Sequence, residues 1–264
     1  MKDSDLIFGL MASLGKEQYS IQDLIYLIKP FNITENSLRT NLSRMKSNAI
    51  LKVNKKGKTV YYKFHTRGKK MNAIAELSFR PPIWDRWNNT WFGVVFTVSD
   101  NNKEERYKLR KRLIAYRFAP QYPGFWIRPF HQVENEKYNF GNIFESKYSR
   151  LIQLNFSIIP GTKEIQKLWN IDQINKEYYN GIAKLDRKIK NSSELIPIEA
   201  LKVKMYLGNE MVKLIFKDPL LPPKFLPENW KGNELREKFY ELDKKLTDIS
   251  KPYWNKIFTK LKYS

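Results

Sequence analysis

The sequence contains no cysteine and only two histidines, His65 and His131. Cysteine-based zinc sites and cysteine nucleophiles are therefore excluded, and two isolated imidazoles offer little for other metal sites. No serine–histidine–aspartate pattern, phosphate-binding loop or carboxylate pair at an interpretable spacing is present either. The sequence thus predicts a protein that is not an enzyme and that needs no cofactor and no metal.

Long apolar runs are also missing. The longest run near the N-terminus, residues 6–14, is too short to cross a bilayer, and Asp3 and Asp5 precede it where a signal peptide carries positive charge. A hydrophobic content of 42% and an aromatic content of 14% are typical of a folded chain. We therefore expect a soluble, cytoplasmic protein with no membrane partner, long enough for two or three small domains.

Acidic residues are scarce, and one stretch lacks them altogether. The chain has 48 Lys and Arg against 27 Asp and Glu, a net charge of +21, which favours nucleic acid or another polyanion as partner. Residues 36–75 contain no acid at all. The basic residues of this acid-free stretch are Arg39, Arg44, Lys46, Lys52, Lys55, Lys56, Lys58, Lys63, Arg67, Lys69 and Lys70.

The acid-free stretch is also patterned. Thr34 can cap a helix over residues 34–47, whose apolar residues Leu38, Leu42 and Met45 recur at i, i+4 and i+7. The opposite face carries short polar and guanidinium side chains, which suit base edges and phosphates. The candidate DNA contacts on this face are Asn36, Ser37, Arg39, Thr40, Ser43 and Arg44.

A basic hairpin is predicted behind this helix. Residues 50–53 and 59–64 have strand character around a cationic tip at 54–58. Lys55, Lys56 and Lys58 at the tip are expected to neutralise phosphates. Helices are predicted upstream at residues 4–14 and from Ser20, which has a capping-box-like start. The order helix, helix-turn-helix, hairpin indicates a winged helix-turn-helix domain; the alternative is a helix and hairpin whose basic face is merely solvated.

The middle of the chain predicts a ferredoxin-like α+β domain. A closing helix at residues 67–78 and the breaker Arg80-Pro81-Pro82 separate it from the first domain. Strand, helix, strand and strand are then predicted at 91–98, 103–115, 125–129 and 151–159. The rest is predicted to be helical, at 172–190, 199–216, 233–247 and 250–261, around a rigid proline-rich crossing at 219–227. The predicted domains are 1–80, 84–161 and 162–264.

Several motifs in the same order resemble the PaaX-type repressors of phenylacetate catabolism. Lys217-Asp218-Pro219-Leu220-Leu221-Pro222, continuing through Phe225-Leu226-Pro227 to Trp230-Lys231-Gly232, is similar to the C-terminal signature of that family. Residues 38–45 resemble its recognition helix. Trp84-Asp85-Arg86-Trp87 and Pro123-Gly124-Phe125-Trp126-Ile127 resemble its central motifs.

The resemblance implies three domains: an N-terminal winged helix, a ferredoxin-like centre and a helical C-terminal domain. It implies a homodimer that binds a double-stranded DNA operator and is released by an aryl-CoA or other acyl-CoA effector. Asn209 and Val212 stand where the family usually has His and Arg, a departure that concerns the effector and leaves DNA binding intact.

Some residues have two interpretations. Trp126 and Arg128 would line an effector pocket, or they are core residues. The basic residues of 103–117 would hold CoA phosphates or a second part of the DNA, or they form a solvated helix face. Asp100 follows a strand, where a nuclease would hold a metal, although helix capping also accounts for it.

The sequence-based prediction is therefore an α+β multidomain protein that acts as a sequence-specific transcriptional regulator, a dimeric repressor. Two alternatives remain. A metal-dependent nuclease would use Asp100, and a non-specific architectural DNA binder would have similar affinity for any duplex.

Overall fold

The computed structural model describes residues 2–69, 78–79, 84, 87–98, 102–131, 140–156 and 160–262. Its contacts group the chain into two units: residues 1–79, 179–216 and 233–264 form the first, and residues 80–178 and 217–232 form the second. Each unit has a hydrophobic core of its own. The division into three domains along the chain stays a prediction.

The N-terminal part of the first unit consists of helices followed by a hairpin. Its elements are α1 (Asp3–Leu14), β1 (Tyr19–Ser20), α2 (Ile21–Ile28), α3 (Glu35–Ser47), β2 (Leu51–Lys56) and β3 (Thr59–Phe64). The strands form an antiparallel sheet in the order β1-β3-β2. The helix predicted at 67–78 falls largely outside the described residues.

Side-chain caps determine where α2 and α3 begin. The Ser20 hydroxyl accepts from the Asp23 amide at 3.0 Å, and the Asp23 carboxylate accepts from the Ser20 amide at 3.0 Å, which is a complete capping box. The Thr34 hydroxyl accepts from the Ser37 amide at 3.1 Å. Both caps confirm the sequence-based prediction.

The apolar stripe of α3 is buried as the spacing predicts. Leu38 and Leu42 are fully buried, and Met45 is 4% exposed. They share a core with Ile7 of α1 and Leu24 of α2. Burial of this stripe leaves the polar face of α3 in solvent.

The hairpin has a shorter turn than predicted. β2 continues to Lys56, which pairs with Thr59, so the turn consists of Gly57 and Lys58 only. Gly57 has a φ of +59°, a left-handed conformation that glycine adopts without steric cost. The tip predicted over 54–58 is wrong because backbone pairing extends both strands to a two-residue turn.

C-terminal helices complete the first unit. α7 (Ile171–Lys190) enters it at Tyr179, and α8 (Pro197–Ile215) and α9 (Gly232–Lys262) follow. Leu6 and Leu10 of α1 pack in a common core with Leu201 and Met205 of α8. None of the described helices combines the length and the apolar character needed to span a bilayer.

α9 is one continuous helix where the sequence indicates two, at 233–247 and 250–261. Pro252 lies inside it, although a proline removes one backbone hydrogen bond and crowds the preceding turn. Packing on both sides offsets that cost: Ser250 is fully buried, and Tyr253 and Trp254 pack against the core of the N-terminal helices. Tertiary contacts thus override the local break signal.

The second unit is built on a four-stranded antiparallel sheet. Its elements are β4 (Thr90–Phe96), α4 (Lys103–Ala115), β5 (Ala119–Tyr122), β6 (Phe125–Pro129), α5 (Phe140–Phe144) and β7 (Ser149–Asn155). The strand order is β5-β6-β4-β7. This β-α-β-β-α-β succession is a ferredoxin-like arrangement and agrees with the predicted fold of this domain. Sequence reasoning predicts β4, α4, β6 and β7, and it misses β5 and α5.

The proline-rich segment, residues 217–230, covers one face of this sheet. Trp91 and Ile127 on that face share a core with Ile165 of α6 (Thr162–Leu168) and with Leu221 and Phe225 of the segment. The segment is therefore packed structure and not a flexible linker.

We predict that Thr34→Ala destabilises the protein by about 1 kcal/mol because the Ser37 amide loses its acceptor. Thr34→Ser keeps that acceptor and should stay within a few tenths of a kcal/mol of the original protein. Urea denaturation of the three proteins measures the difference. Equal unfolding midpoints for both variants would contradict a stabilising cap at Thr34.

Candidate nucleic-acid interface

α3 presents an exposed polar face opposite its buried stripe. Asn36, Thr40 and Ser43 follow one another along the middle of this face at spacings of three or four residues, and all are exposed. Arg39 lies on one flank and Arg44 on the other, and both are exposed. The helix thus offers short hydrogen-bonding groups between two guanidinium groups.

Arg39 is paired with an acid one turn earlier on the same helix. Its Nη2 lies 3.9 Å from Oε2 of Glu35, and the two side chains are 56% and 59% exposed. Exposed pairs of this kind contribute at most about 0.5 kcal/mol to stability. Sequence reasoning missed this pair, although a Glu four residues before an Arg on a helix is its usual signal.

Ser37 differs from the other candidate contacts. It is half-buried, its hydroxyl donates to Oδ2 of Asp3 at 2.5 Å, and its carbonyl accepts from the side-chain amide of Asn41 at 2.9 Å. The bond to Asp3 joins α3 to the first turn of α1, whereas the bond from Asn41 lies within α3. No sequence pattern signals this contact, because its partners lie 34 residues apart. A DNA contact by Ser37 stays a prediction.

The hairpin lysines project in different directions. Lys55 and Lys56 are neighbours in β2 and therefore point to opposite faces of the hairpin, while Lys58 lies in the turn. All three are exposed. The Lys56 ammonium lies 5.8 Å from the ring centroid of Tyr61 on β3, within the range of a cation–π interaction.

Two further lysines face each other directly. Lys52 pairs with Lys63 across β2 and β3, an arrangement that disfavours the hairpin because the charges are alike. The Lys63 ammonium lies 4.0 Å from a carboxylate oxygen of Glu17. Arg67, by contrast, donates to the Asn48 carbonyl at 3.1 Å and so supports the end of α3.

The candidate effector residues of the second unit are buried. Trp126 is 7% exposed and Arg128 is 3% exposed. Arg128 donates to the Tyr116 carbonyl at 2.8 Å, and its guanidinium carbon lies 5.0 Å from the ring centroid of Phe140. Core packing, one of the two interpretations of the sequence, accounts for these positions. An effector pocket at these residues stays a prediction.

α4 carries the expected basic face, in part paired with acids. Lys108 lies 2.9 Å from Glu104 and 3.1 Å from Glu105. The hydrogen bond from Lys108, together with its charge, lowers the pKa of the Glu104 carboxyl. Arg110 and Lys111 on this helix are exposed.

A mostly polar cavity of about 330 Å³ lies where α6 meets α7, lined by Lys163, Gln166, Lys167, Asn170, Ile171 and Asp172. Small-molecule sites are usually more apolar than this. In the part of the chain that the structure describes, no group of three or more His, Asp or Glu side chains could hold a metal ion. Asp100, the candidate nuclease ligand, lies outside that part.

We predict that Arg128→Met lowers the free energy of unfolding by about 1–3 kcal/mol, because the Tyr116 carbonyl loses a buried charged donor. Arg110→Met removes the same group from an exposed position and should change stability by less than about 0.5 kcal/mol. Thermal denaturation of both variants measures the difference. Similar melting temperatures would contradict a core role for Arg128.

Three family descriptions match successive segments of the chain. They are "PaaX-like protein" over residues 5–68, "PaaX protein central Cas2-like domain" over residues 85–153 and "PaaX-like protein C-terminal domain" over residues 169–256. Together these segments include α3, the hairpin, nearly all of the four-stranded sheet and most of α7–α9.

Individual proteins are also similar. Transcriptional repressor PaaX of Escherichia coli (strain K12) is 23% identical over 226 residues, which cover 81% of this chain and 70% of that protein. The solved structure of uncharacterized protein Rv0674 from Mycobacterium tuberculosis superposes with a TM-score of 0.58 at 18% identity, covering 96% of this chain and 98% of the other. At that identity the second likeness shows a common fold alone. The three family matches show that the chain belongs to the PaaX-like family.

Proposed function

We propose that the protein is a sequence-specific DNA-binding transcriptional regulator that acts as a repressor. α1–α3 and the β2–β3 hairpin would form a winged helix-turn-helix domain, with α3 in the major groove and the hairpin as the wing. The exposed polar face of α3, opposite its fully buried stripe, is the observation that carries this proposal. Membership of the PaaX-like family, and a relative named as a transcriptional repressor, support it.

The side chains on this face suit base recognition. An Arg can donate two hydrogen bonds to guanine, and an Asn can bond adenine in the same bidentate way. Arg39, Arg44 and Asn36 supply these groups, and Thr40 and Ser43 add hydroxyls that can bond either bases or phosphates. Asn36 and Arg39 lie in the N-terminal half of α3, the part of a recognition helix that contacts base edges.

The hairpin suits the DNA backbone. Lys55, Lys56 and Lys58 are exposed, and their ammonium groups would bind phosphates of the DNA backbone. Such contacts position the protein on the duplex without reading its base sequence. The opposed lysines Lys52 and Lys63 also suit an anionic partner, because Glu17 lies near Lys63 only and a phosphate would offset the charge of Lys52.

A homodimer would bind two half-sites about 34 Å or a multiple of it apart. The central and C-terminal parts would supply dimer contacts and an effector site. An aryl-CoA or other acyl-CoA would bind more tightly to the dimer conformation that has the lower affinity for DNA. Its binding would therefore release the operator. The family resemblance supports this part, and a DNA partner agrees with the cytoplasmic location expected from the sequence.

The central experiment is a titration of duplex DNA from upstream of the protein's own gene, and of a scrambled duplex, followed by fluorescence anisotropy. We expect the upstream duplex to bind at least about a thousandfold more tightly, and phenylacetyl-CoA to reduce that affinity. Equal, steeply salt-dependent binding to both duplexes would instead indicate an architectural DNA binder. Metal-dependent DNA cleavage that Asp100→Asn abolishes would indicate the nuclease alternative.

Arg39→Ala should reduce affinity for the upstream duplex by about 1–3 kcal/mol, the contribution of one bidentate base contact. Affinity for scrambled DNA should fall much less, so discrimination shrinks. Arg187→Ala, an exposed arginine of α7, is the matched control and should change neither affinity. Undiminished discrimination in Arg39→Ala would show that Arg39 does not read a base.

Replacing Lys55, Lys56 and Lys58 together by Gln should weaken binding to both duplexes alike. Each lost phosphate contact reduces the slope of log K against log salt by about 0.9, so the slope should fall by up to about 2.7. Replacing the exposed Lys188, Lys190 and Lys244 by Gln makes the same change in net charge and is the control. An identical slope in the two triple variants would contradict the proposed wing contact.

A further inference from the structure

Glu35 is the only acid of α3, and the acid-free stretch begins at the residue that follows it. Its side chain is 59% exposed, on the helix proposed to enter the major groove. An exposed carboxylate at such a position repels the phosphates of any duplex. A surface that only needed affinity for DNA would be better without it.

The geometry gives this carboxylate a specific partner. Side chains of a helix lean toward its N-terminus, so the long Arg39 side chain extends back over the first turn of α3. There its Nη2 lies 3.9 Å from Oε2 of Glu35. The pair therefore holds the guanidinium near the end of α3 whose residues contact base edges in helix-turn-helix complexes.

A purely stabilising role explains this acid less well. A negative charge in the first turn is favourable for any helix. The start of α3 is, however, already held by the Thr34 cap and by the bond from Ser37 to Asp3. An exposed pair with an i, i+4 spacing adds little to these two contacts.

We propose that Glu35 is a specificity-determining residue that positions Arg39 for a base edge and keeps it from binding phosphates. On cognate DNA, the guanidinium finds its base acceptors without leaving the first turn. On other DNA, the guanidinium gains a phosphate only by leaving Glu35, and the carboxylate is then unpaired beside the backbone. This inference rests on the proposed function. It adds a residue that would make α3 discriminate between cognate and other DNA.

The test compares Glu35→Gln with Glu241→Gln in the full chain. Glu241 forms the same i, i+4 type of pair with Lys245, at 3.2 Å on α9, with both side chains about half exposed. Both variants thus raise the net charge by one and remove one exposed ion pair. A duplex selected by the original protein from a random pool, and its scrambled version, are titrated between about 50 and 200 mM salt.

Glu35→Gln should bind scrambled DNA about three- to fivefold more tightly, since one phosphate-repelling charge is gone. Its salt slope on scrambled DNA should steepen by about 0.9, because the released Arg39 neutralises one more phosphate. The affinity ratio between the two duplexes should fall about tenfold. Glu241→Gln should change none of these quantities. Loss of helix stability alone would not alter the salt slope, so a steeper slope in Glu35→Gln would indicate a new phosphate contact.

Two further variants test the route through Arg39. Glu35→Asp keeps the charge but is too short to hold the guanidinium. Its salt slope on scrambled DNA should therefore steepen as in Glu35→Gln, and discrimination should fall, while its affinity for scrambled DNA should rise less because the repelling carboxylate remains. In an Arg39→Ala background, Glu35→Gln should cause no further loss of discrimination. Additive losses in the double variant would overturn the proposal, because Glu35 would then act without Arg39.

An unchanged affinity ratio and salt slope in Glu35→Gln would also overturn the inference, while leaving the proposed function intact. Failure of the original protein to discriminate between selected and scrambled duplexes is a separate outcome. It would overturn the proposed function and this inference with it.

Discussion

Burial of one stripe on α3 is the constraint on which the DNA-binding proposal depends. Leu38, Leu42 and Met45 are locked into the core of the first unit, and this fixes the rotation of the helix. Because that rotation is fixed, the polar residues on the opposite face of α3, together with Arg39 and Arg44, face solvent. The same core includes contacts from the C-terminal helices, because Tyr253 and Trp254 pack against it. A change that moves α9 can therefore reach the proposed recognition helix through this shared core.

The charge distribution follows a second constraint. A stretch with many lysines and arginines and no acid repels itself, so the acids that touch it are informative. Among the described residues, three such acids have a defined partner: Glu35 pairs with Arg39, Asp3 accepts from Ser37, and Glu17 lies near Lys63. Basic charge supplies affinity for any duplex, and acids that restrain particular side chains are a means of making that affinity selective.

The second unit shows how a family motif can be structural. Asp218 of the proline-rich segment caps the Leu220 amide at 2.8 Å, and its carbonyl accepts from buried Arg117 at 2.9 Å. A side chain at Gly232 would come within 3.0 Å of the Asp218 carboxylate. Asp218, Leu221, Phe225 and Gly232 of the signature thus hold the segment against the ferredoxin-like sheet.

The sequence by itself determined the elements whose signals are local. Such elements are the caps at Ser20 and Thr34, the buried stripe of α3, the polarity of its other face, and β4, α4, β6 and β7 of the ferredoxin-like sheet. β5 and α5 had no comparable local signal. Tertiary structure decided what depends on distant partners or on competition between forces. Pro252 lies within a single helix because packing outweighs a local break. Arg128 and Trp126 are core residues because the sheet buries them, and Ser37 is tied to Asp3 because α1 and α3 meet. The sequence alone thus indicates which side chains can bind DNA. The burial of individual side chains and their hydrogen-bond partners depend on the tertiary structure, because they involve residues far apart in sequence.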